Sequence, residues 1–160
     1  MKKIFVSILI LSAIVIRCKK DEKCNFNDNP IIAPQSEITS VQNYLSSNNI
    51  TAIQHPSGFF YKINTQGGGQ EVVNLCSNTT VTYKGRLTDG TVFDSTKTGE
   101  TVTFELGQVI VGWQKGVPLI SSGGNITLYI PPSLGYGPYG SGSIPGNSIL
   151  IFDVGLVSVN

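Results

Sequence analysis

Histidine is almost absent from this 160-residue sequence, and its scarcity excludes whole classes of catalysis. The single histidine, His55, precedes Pro56, and a Ser-His-Asp or Cys-His arrangement would depend on it alone. No neighbouring residue supports such a role, so we interpret His55 as an exposed linker residue. One His and three Cys also lack the spacing of zinc ligands. We therefore expect no metal and no cofactor.

Charged side chains are scarce as well. Asp, Glu, Lys and Arg make up 13% of the residues, and the formal net charge is +1. No basic patch with interleaved aromatic residues occurs, so nucleic acid is not an expected partner. Asp94 and Glu105 are candidates for an acid–base pair, but their sequence context does not support one. Apolar residues are plentiful at 40%, which indicates one globular domain of ordinary size.

The N-terminus carries a long apolar run. Lys2 and Lys3 precede an apolar stretch at residues 4–16, which is the order found in secretory signals. This stretch is shorter than the roughly 20 residues that a membrane-spanning helix needs. Cys18 follows almost at once, so residues 1–17 resemble a bacterial lipoprotein signal with Cys18 as the acylated residue.

The residues after Cys18 agree with this interpretation. Residues 19–22 are Lys-Lys-Asp-Glu, which resembles the export tag of surface lipoproteins in one Gram-negative phylum. We expect an exported lipoprotein anchored at the outer membrane, on its periplasmic or cell-surface face. A plain secretory signal with another cleavage site is the alternative. Cys24 and Cys76 would then share an oxidising compartment, where they either form a disulfide or remain two unpaired thiols.

Composition and periodicity divide the remaining chain into three parts. Residues 18–35 are polar, contain two prolines and predict a tether. Residues 36–49 predict an N-terminal helix that Ser36 caps. Its apolar residues recur at helical spacing, at Ile38, Val41 and Leu45. Residues 50–160 form the main domain.

The main domain has the pattern of a sheet interrupted by one short helix. Alternating or continuous apolar runs predict strands at residues 58–64, 79–87, 101–106, 126–130 and 149–157, with the last strand central in the sheet. Trp113, Val117 and Ile120 share one helical face, and Pro118 limits the helix. The prediction is an α+β fold with an antiparallel sheet curled around one short helix.

Aromatic residues beside tight turns can belong to the core or to a pocket, and each one taken alone is better interpreted as core. The long Gly/Pro-rich loop at residues 133–147 favours a functional site, because such loops are uncommon in compact domains. A series of short motifs is more specific. It runs VTYKG at 81–85, DGTVFDS at 89–95, FELG at 104–107, VIVGW at 109–113, GV at 116–117, LGYG at 134–137, IP at 144–145 and LIFDV at 150–154.

This series resembles the FKBP-type peptidyl-prolyl cis-trans isomerases over about residues 56–159. The resemblance implies an FKBP-like sheet of five or six antiparallel strands wrapped on a helix at residues 112–120. It implies isomerisation of X–Pro bonds in exported proteins, by a pocket that binds the twisted amide. Implied partners are proline-containing polypeptides and the macrolide inhibitors of the family. A non-catalytic module that binds proline segments and a structural lipoprotein of a surface assembly remain alternatives.

The resemblance also implies which residues form the site. The residues implied as catalytic are Tyr83, Phe93, Asp94, Val109, Ile110, Trp113, Tyr136 and Phe152, and those implied as substrate-binding are Ile144 and Val102. Trp113 would be the floor under a proline ring, and Val109 and Ile110 the rim with a free backbone N–H. Val102 stands where many relatives carry an aromatic wall residue, which implies altered affinity or sequence preference.

Overall fold

The computed structural model describes residues 24–160. The expected signal at residues 1–17 and the expected lipidation site, Cys18, lie outside the described residues. Within residues 24–160, no helix has the length and apolar character needed to cross a membrane.

A seven-stranded antiparallel sheet forms the body of the domain, in the order β1-β2-β6-β7-β3-β4, with β5 also paired to β3. The strands are β1 Ile53–Gln54, β2 Phe60–Thr65, β3 Asn78–Arg86, β4 Val92–Ser95, β5 Val102–Glu105, β6 Asn125–Ile130 and β7 Leu150–Val159. The strand count exceeds the expected five or six, and β1 is only a two-residue edge strand. The expected central position of the last strand is confirmed, because β7 lies between β6 and β3.

Two strands share one edge of β3. β5 pairs with residues 78–81 of β3, and β4 pairs with residues 84–86. Tyr83 falls in the gap, where its N–H donates to the Thr96 hydroxyl at 3.2 Å and its carbonyl accepts from the Thr96 N–H at 3.0 Å. The divided edge therefore fixes the backbone of Tyr83 through the loop that follows β4.

The predicted short helix lies against β6. It consists of α2, Val111–Gly116, and a one-turn 3-10 helix, Val117–Leu119, which contains Pro118. A Cβ atom at Gly112 would lie 2.6 Å from the Ile130 side chain, and one at Gly116 would lie 2.7 Å from Leu128. Both glycines therefore allow the helix to approach the sheet closely, and Trp113 is only 4% exposed in the resulting core.

The N-terminal helix, α1, spans Gln35–Ser47, and Ile38, Val41 and Leu45 are buried as its periodicity predicts. The expected cap is wrong. Pro34 occupies the N-cap position, and Ser36 lies inside the first turn with no side-chain cap hydrogen bond. A proline preceding the helix fixes the entering backbone by its ring instead.

The described part of the expected tether lies against the domain. We call residues 24–34 the strap. A disulfide joins Cys24 to Cys76 with a Cα–Cα distance of 5.6 Å. The Asp28 carboxylate accepts a hydrogen bond from the Lys115 ammonium at 2.9 Å, and the Ala33 N–H donates to the Ser57 carbonyl at 2.9 Å. The strap is thus attached to the domain at three points, which composition did not indicate.

His55 is half-buried, so its interpretation as an exposed linker residue is wrong. Its ring stacks on Phe59 with 4.4 Å between the ring centroids, and its Nδ1 accepts the Ser57 N–H at 3.1 Å. Burial lowers the pKa of His55, with a further contribution from the nearby Lys115 charge. The histidine is therefore a packing residue of the turn before β2.

Candidate functional site

A cavity of about 540 Å³ opens between α2, the sheet and the loop after β6. All eight residues expected to be catalytic line it, and so does Ile144. Five further residues complete the lining: Phe104, Gln108, Ser141, Gly142 and Ser143. The motif series is thus brought together in space from five separate stretches of the chain.

Aromatic rings hold the tryptophan at the floor. The Trp113 indole meets Tyr83 and Phe152 edge to face, at centroid distances of 5.4 and 5.3 Å. Phe104 is also perpendicular to it, at 6.0 Å. Perpendicular contacts of this kind each stabilise by about 0.5–1.5 kcal/mol beyond the area that they bury. The buried indole N–H has no acceptor among the described residues, so packing alone orients the ring.

One wall consists of Phe93 and Phe152, which meet edge to face at 5.4 Å. Gly85 on β3 lies directly behind both rings. A Cβ atom there would approach Phe93 to 2.5 Å and Phe152 to 2.8 Å. Gly85 therefore shapes the pocket, because only a residue without a side chain leaves room for both rings.

The polar side of the cavity centres on Asp94. The Tyr83 hydroxyl donates to the Asp94 carboxylate at 2.5 Å. Burial raises the pKa of Tyr83 well above its usual range, and the bond to Asp94 raises it further. The pKa of Tyr136 is raised by burial and by the Asp94 charge, and its hydroxyl has no hydrogen-bond partner within residues 24–160. The site thus offers one fixed carboxylate and one free phenol.

The rim is a backbone turn held by a side chain that the motif series did not single out. The Gln114 side-chain amide donates to the carbonyls of Gly107 at 3.2 Å and Val109 at 2.8 Å. The carbonyl of Ile110 accepts the N–H groups of Trp113 and Gln114 at the start of α2. The Ile110 N–H has no acceptor in the described part of the chain, so a ligand carbonyl can accept from it.

The loop at residues 133–147 is compact despite its glycines. Ser141 and Ile144 exchange two backbone hydrogen bonds, and the Asn147 N–H donates to the Gly137 carbonyl at 2.9 Å. A Cβ atom at Gly140 would lie 2.1 Å from the Ile144 carbonyl oxygen. The loop therefore holds Ile144 in a fixed place, 8% exposed, at the edge of the cavity.

Val102, expected to bind substrate, is not among the residues that line the cavity, so its role stays a prediction. It is half-buried against the core, paired with Val81 across the sheet. Phe104, two residues further along β5 and on the same face, reaches Trp113 and supplies an aromatic wall there. Sequence alternation identified the face but not which of its two side chains reaches the pocket.

In residues 24–160, no three His, Cys, Asp or Glu side chains come together as a candidate metal site. What the cavity does provide is an apolar aromatic floor and walls, one free backbone donor at the rim, and a carboxylate and a phenol on one side. Such a site can hold a compact apolar ring and hydrogen-bond the carbonyl groups beside it.

Residues 69–157 match the sequence model of a family described as FKBP-type peptidyl-prolyl cis-trans isomerase. The isomerase FkpA of Buchnera aphidicola is 48% identical over 104 residues, which cover 64% of this chain and 41% of that protein. The isomerase Mip of Coxiella burnetii is 44% identical over 105 residues, 64% of this chain and 45% of Mip. The chain thus spans about two fifths of the length of such relatives.

Solved structures agree in fold. The crystal structure of FkpA from Escherichia coli superposes with a TM-score of 0.70 and 36% identity, covering 79% of this chain and 60% of that one. The crystal structure of AtFKBP13 superposes with a TM-score of 0.63 and 34% identity, covering 69% of this chain and 99% of that one. The likeness in fold therefore extends over 69–79% of this chain.

Proposed function

This chain belongs to the FKBP-type peptidyl-prolyl cis-trans isomerase family, and on that premise we propose that it catalyses cis–trans isomerisation of X–Pro bonds in exported polypeptides. The observation that carries the proposal is the aromatic cavity floored by Trp113, with the free Ile110 N–H at its rim. A proline ring is apolar and compact, and it fits such a floor. The residue beside the proline has a carbonyl that can accept from the rim.

The reaction requires only that the enzyme bind the twisted amide more tightly than the planar amide, because no covalent bond is made or broken. Rotation about an X–Pro bond is slow because amide resonance opposes it by roughly 18–20 kcal/mol. The amide loses that resonance when it twists, and its carbonyl and nitrogen become less polar. A dry apolar cavity therefore binds the twisted form better than either planar form, and this difference lowers the barrier. No nucleophile, metal or titrating base takes part in this mechanism.

Individual residues then receive separate roles. Trp113 supports the proline ring, while Phe93 and Phe152 exclude water from it. The Ile110 N–H donates to a substrate carbonyl, which fixes the chain on one side of the rotating bond. Tyr83 donates to Asp94 and so holds this carboxylate at the edge of the cavity. The free Tyr136 hydroxyl can donate to a carbonyl on the other side.

The proposal extends to location and partners. The signal-like N-terminus favours export with acylation of Cys18, and anchoring at the outer membrane on its periplasmic or cell-surface face. The Cys24–Cys76 disulfide supports export, because such bonds persist in oxidising compartments. Proline-containing polypeptides are the proposed substrates, and macrolide inhibitors of the family would compete for the same cavity.

The test is an isomerisation assay on proline tetrapeptides, with and without a macrolide inhibitor. We expect turnover that the inhibitor abolishes, and a loss of more than about ten-fold in kcat/KM for Trp113→Leu and for Asp94→Leu. Val73→Ala is the matched control, because Val73 is 84% exposed and does not line the cavity. Turnover equal to that in buffer would refute the proposal. Peptide binding without turnover, seen in Trp113 fluorescence, would instead identify a non-catalytic binding module.

A further inference from the structure

The strap crosses the outer side of the segment that carries the pocket rim. Phe26 lies over Gly107, in the short 3-10 turn Leu106–Gln108 that leads into the rim. A Cβ atom at Gly107 would lie 2.4–2.6 Å from three atoms of the Phe26 ring. The ring therefore packs directly on the backbone of this turn, where only glycine leaves room for it.

Gly107 is held from two more directions. Its N–H donates to the Leu75 carbonyl at 2.6 Å, and its carbonyl accepts from the Gln114 side chain at 3.2 Å. The same Gln114 amide donates to the Val109 carbonyl at 2.8 Å. The position of Gly107 is thus linked through one side chain to the peptide unit that contains the free Ile110 N–H, because the Val109 carbonyl and the Ile110 N–H belong to the same planar unit.

The Cys24–Cys76 disulfide lies next to Phe26 and Leu75, which both contact Gly107. Cys24 lies two residues before Phe26, and Cys76 directly follows Leu75. Gly107 contacts the Phe26 ring and the Leu75 carbonyl. These two groups therefore belong to the two chain segments that the disulfide joins. Asp28 adds a second attachment further along, through its ion pair with Lys115 on α2.

We propose that the disulfide-linked strap positions the pocket rim, with Phe26 as a positioning residue that acts through Gly107 on the Ile110 N–H. The proposal rests on the proposed function only in treating this cavity as the substrate site. No strap residue lines the cavity. The strap restricts the turn, so the Ile110 N–H is already oriented before a ligand binds. We therefore expect the strap to affect KM more than kcat.

The decisive measurement is amide hydrogen exchange in the purified full-length protein. We expect Phe26→Ala to raise exchange by about ten-fold at Gly107 and Val109, whose N–H groups are hydrogen-bonded in the turn before the rim, with a smaller change in the β6–β7 core. The effect on isomerisation should be a KM several-fold higher with kcat nearly unchanged. Phe26→Leu should recover most of both losses. Ile32→Ala is the matched control, since Ile32 is an apolar strap residue that is 66% exposed, and it should behave as the unaltered protein.

A double substitution tests the contact itself. Gly107→Ala should disturb the rim in the normal background but much less beside Phe26→Ala, because the ring that the new methyl group meets has gone. Should Phe26→Ala fail to fold, disulfide reduction of the unaltered protein replaces it, and this reduction should raise exchange at Gly107 and Val109.

Several results would overturn the proposal. The proposal fails if exchange at Gly107 and Val109 stays within two-fold of that in the unaltered protein. It also fails if exchange at these two amides rises only as much as exchange in the β6–β7 core. A protein that shows no isomerase activity would refute the proposed function, while the exchange results would still decide the role of the strap.

Discussion

Gly85→Ala is the sharpest single test of how the pocket wall is built. Gly85 lies in β3 with an ordinary extended backbone, so a methyl group there meets no backbone strain. Replacing a strand glycine by alanine on such a backbone usually stabilises, by about 0.4–1 kcal/mol. Here the new Cβ would lie 2.5 Å from the Phe93 ring and 2.8 Å from the Phe152 ring.

These distances decide the sign of the effect. Carbon atoms in contact prefer about 3.5–4.0 Å, so one or both rings must move by roughly 1 Å. Overpacking of this kind costs about 1–3 kcal/mol, which exceeds the backbone gain. We expect a net loss of about 1–2 kcal/mol in the free energy of unfolding. Because the displaced rings are the pocket wall, kcat/KM should fall as well.

Urea unfolding and the tetrapeptide assay measure the two effects. Gly68→Ala is the matched control, because Gly68 also has an ordinary φ and a Cβ there would meet nothing within 4 Å. Phe93→Leu in the Gly85→Ala background should recover part of the stability by giving the methyl group space. A Gly85→Ala protein as stable and active as the unaltered one would refute the account of the wall.

Three further predictions concern the disulfide, the phenol and the rim. Reducing Cys24–Cys76 opens a loop with a sequence separation of 52 and should lower the free energy of unfolding by about 4 kcal/mol, measured in urea with and without reductant; a change below about 1 kcal/mol would contradict it. The pKa of Tyr83 is raised in the folded state, so its contribution to stability is complete below the ordinary phenol pKa and is lost as pH rises through the folded pKa. The pKa values of Tyr129 and Tyr136 are also raised, so absorbance titration should show several phenols that ionise late. Tyr83→Phe should remove the latest of these steps, and a titration unchanged by the substitution would refute the assignment. Gln114→Leu should raise KM more than it lowers kcat in the tetrapeptide assay, because the Gly107 and Val109 carbonyls lose their shared donor. A loss of stability and of kcat with KM unchanged would instead indicate a purely structural role.

The family resemblance carried by the motif series implied most of the residues that line the cavity, whereas each residue taken alone was better interpreted as core. Trp113, Tyr83 and Phe152 come from three segments, and their meeting at the floor follows once the sheet is curled around the helix. The antiparallel sheet and its central last strand were predictable too, since continuous apolar runs indicate burial on both faces.

Contacts between distant segments were not predictable in the same way. Cysteine spacing could not show whether Cys24 and Cys76 are neighbours, because proximity depends on where the strap lies. No feature of the sequence around Gly107 indicates that the ring of Phe26 packs on it in the folded protein. Val102 and Phe104 lie on the same face of β5, and which of them forms the pocket wall depends on how far along the strand the pocket lies. A two-residue period gives the face but not that position.

The disulfide also determines where mechanical load would enter the fold. A pull on the chain ahead of Cys24 would be carried by the covalent bond to Cys76, two residues before β3 begins. β3 is paired along eight residues with β7, the central strand of the sheet. Tension would therefore reach the strongest part of the sheet directly, and it would bypass Asp28, Ala33 and α1, whose contacts could otherwise be peeled away one at a time.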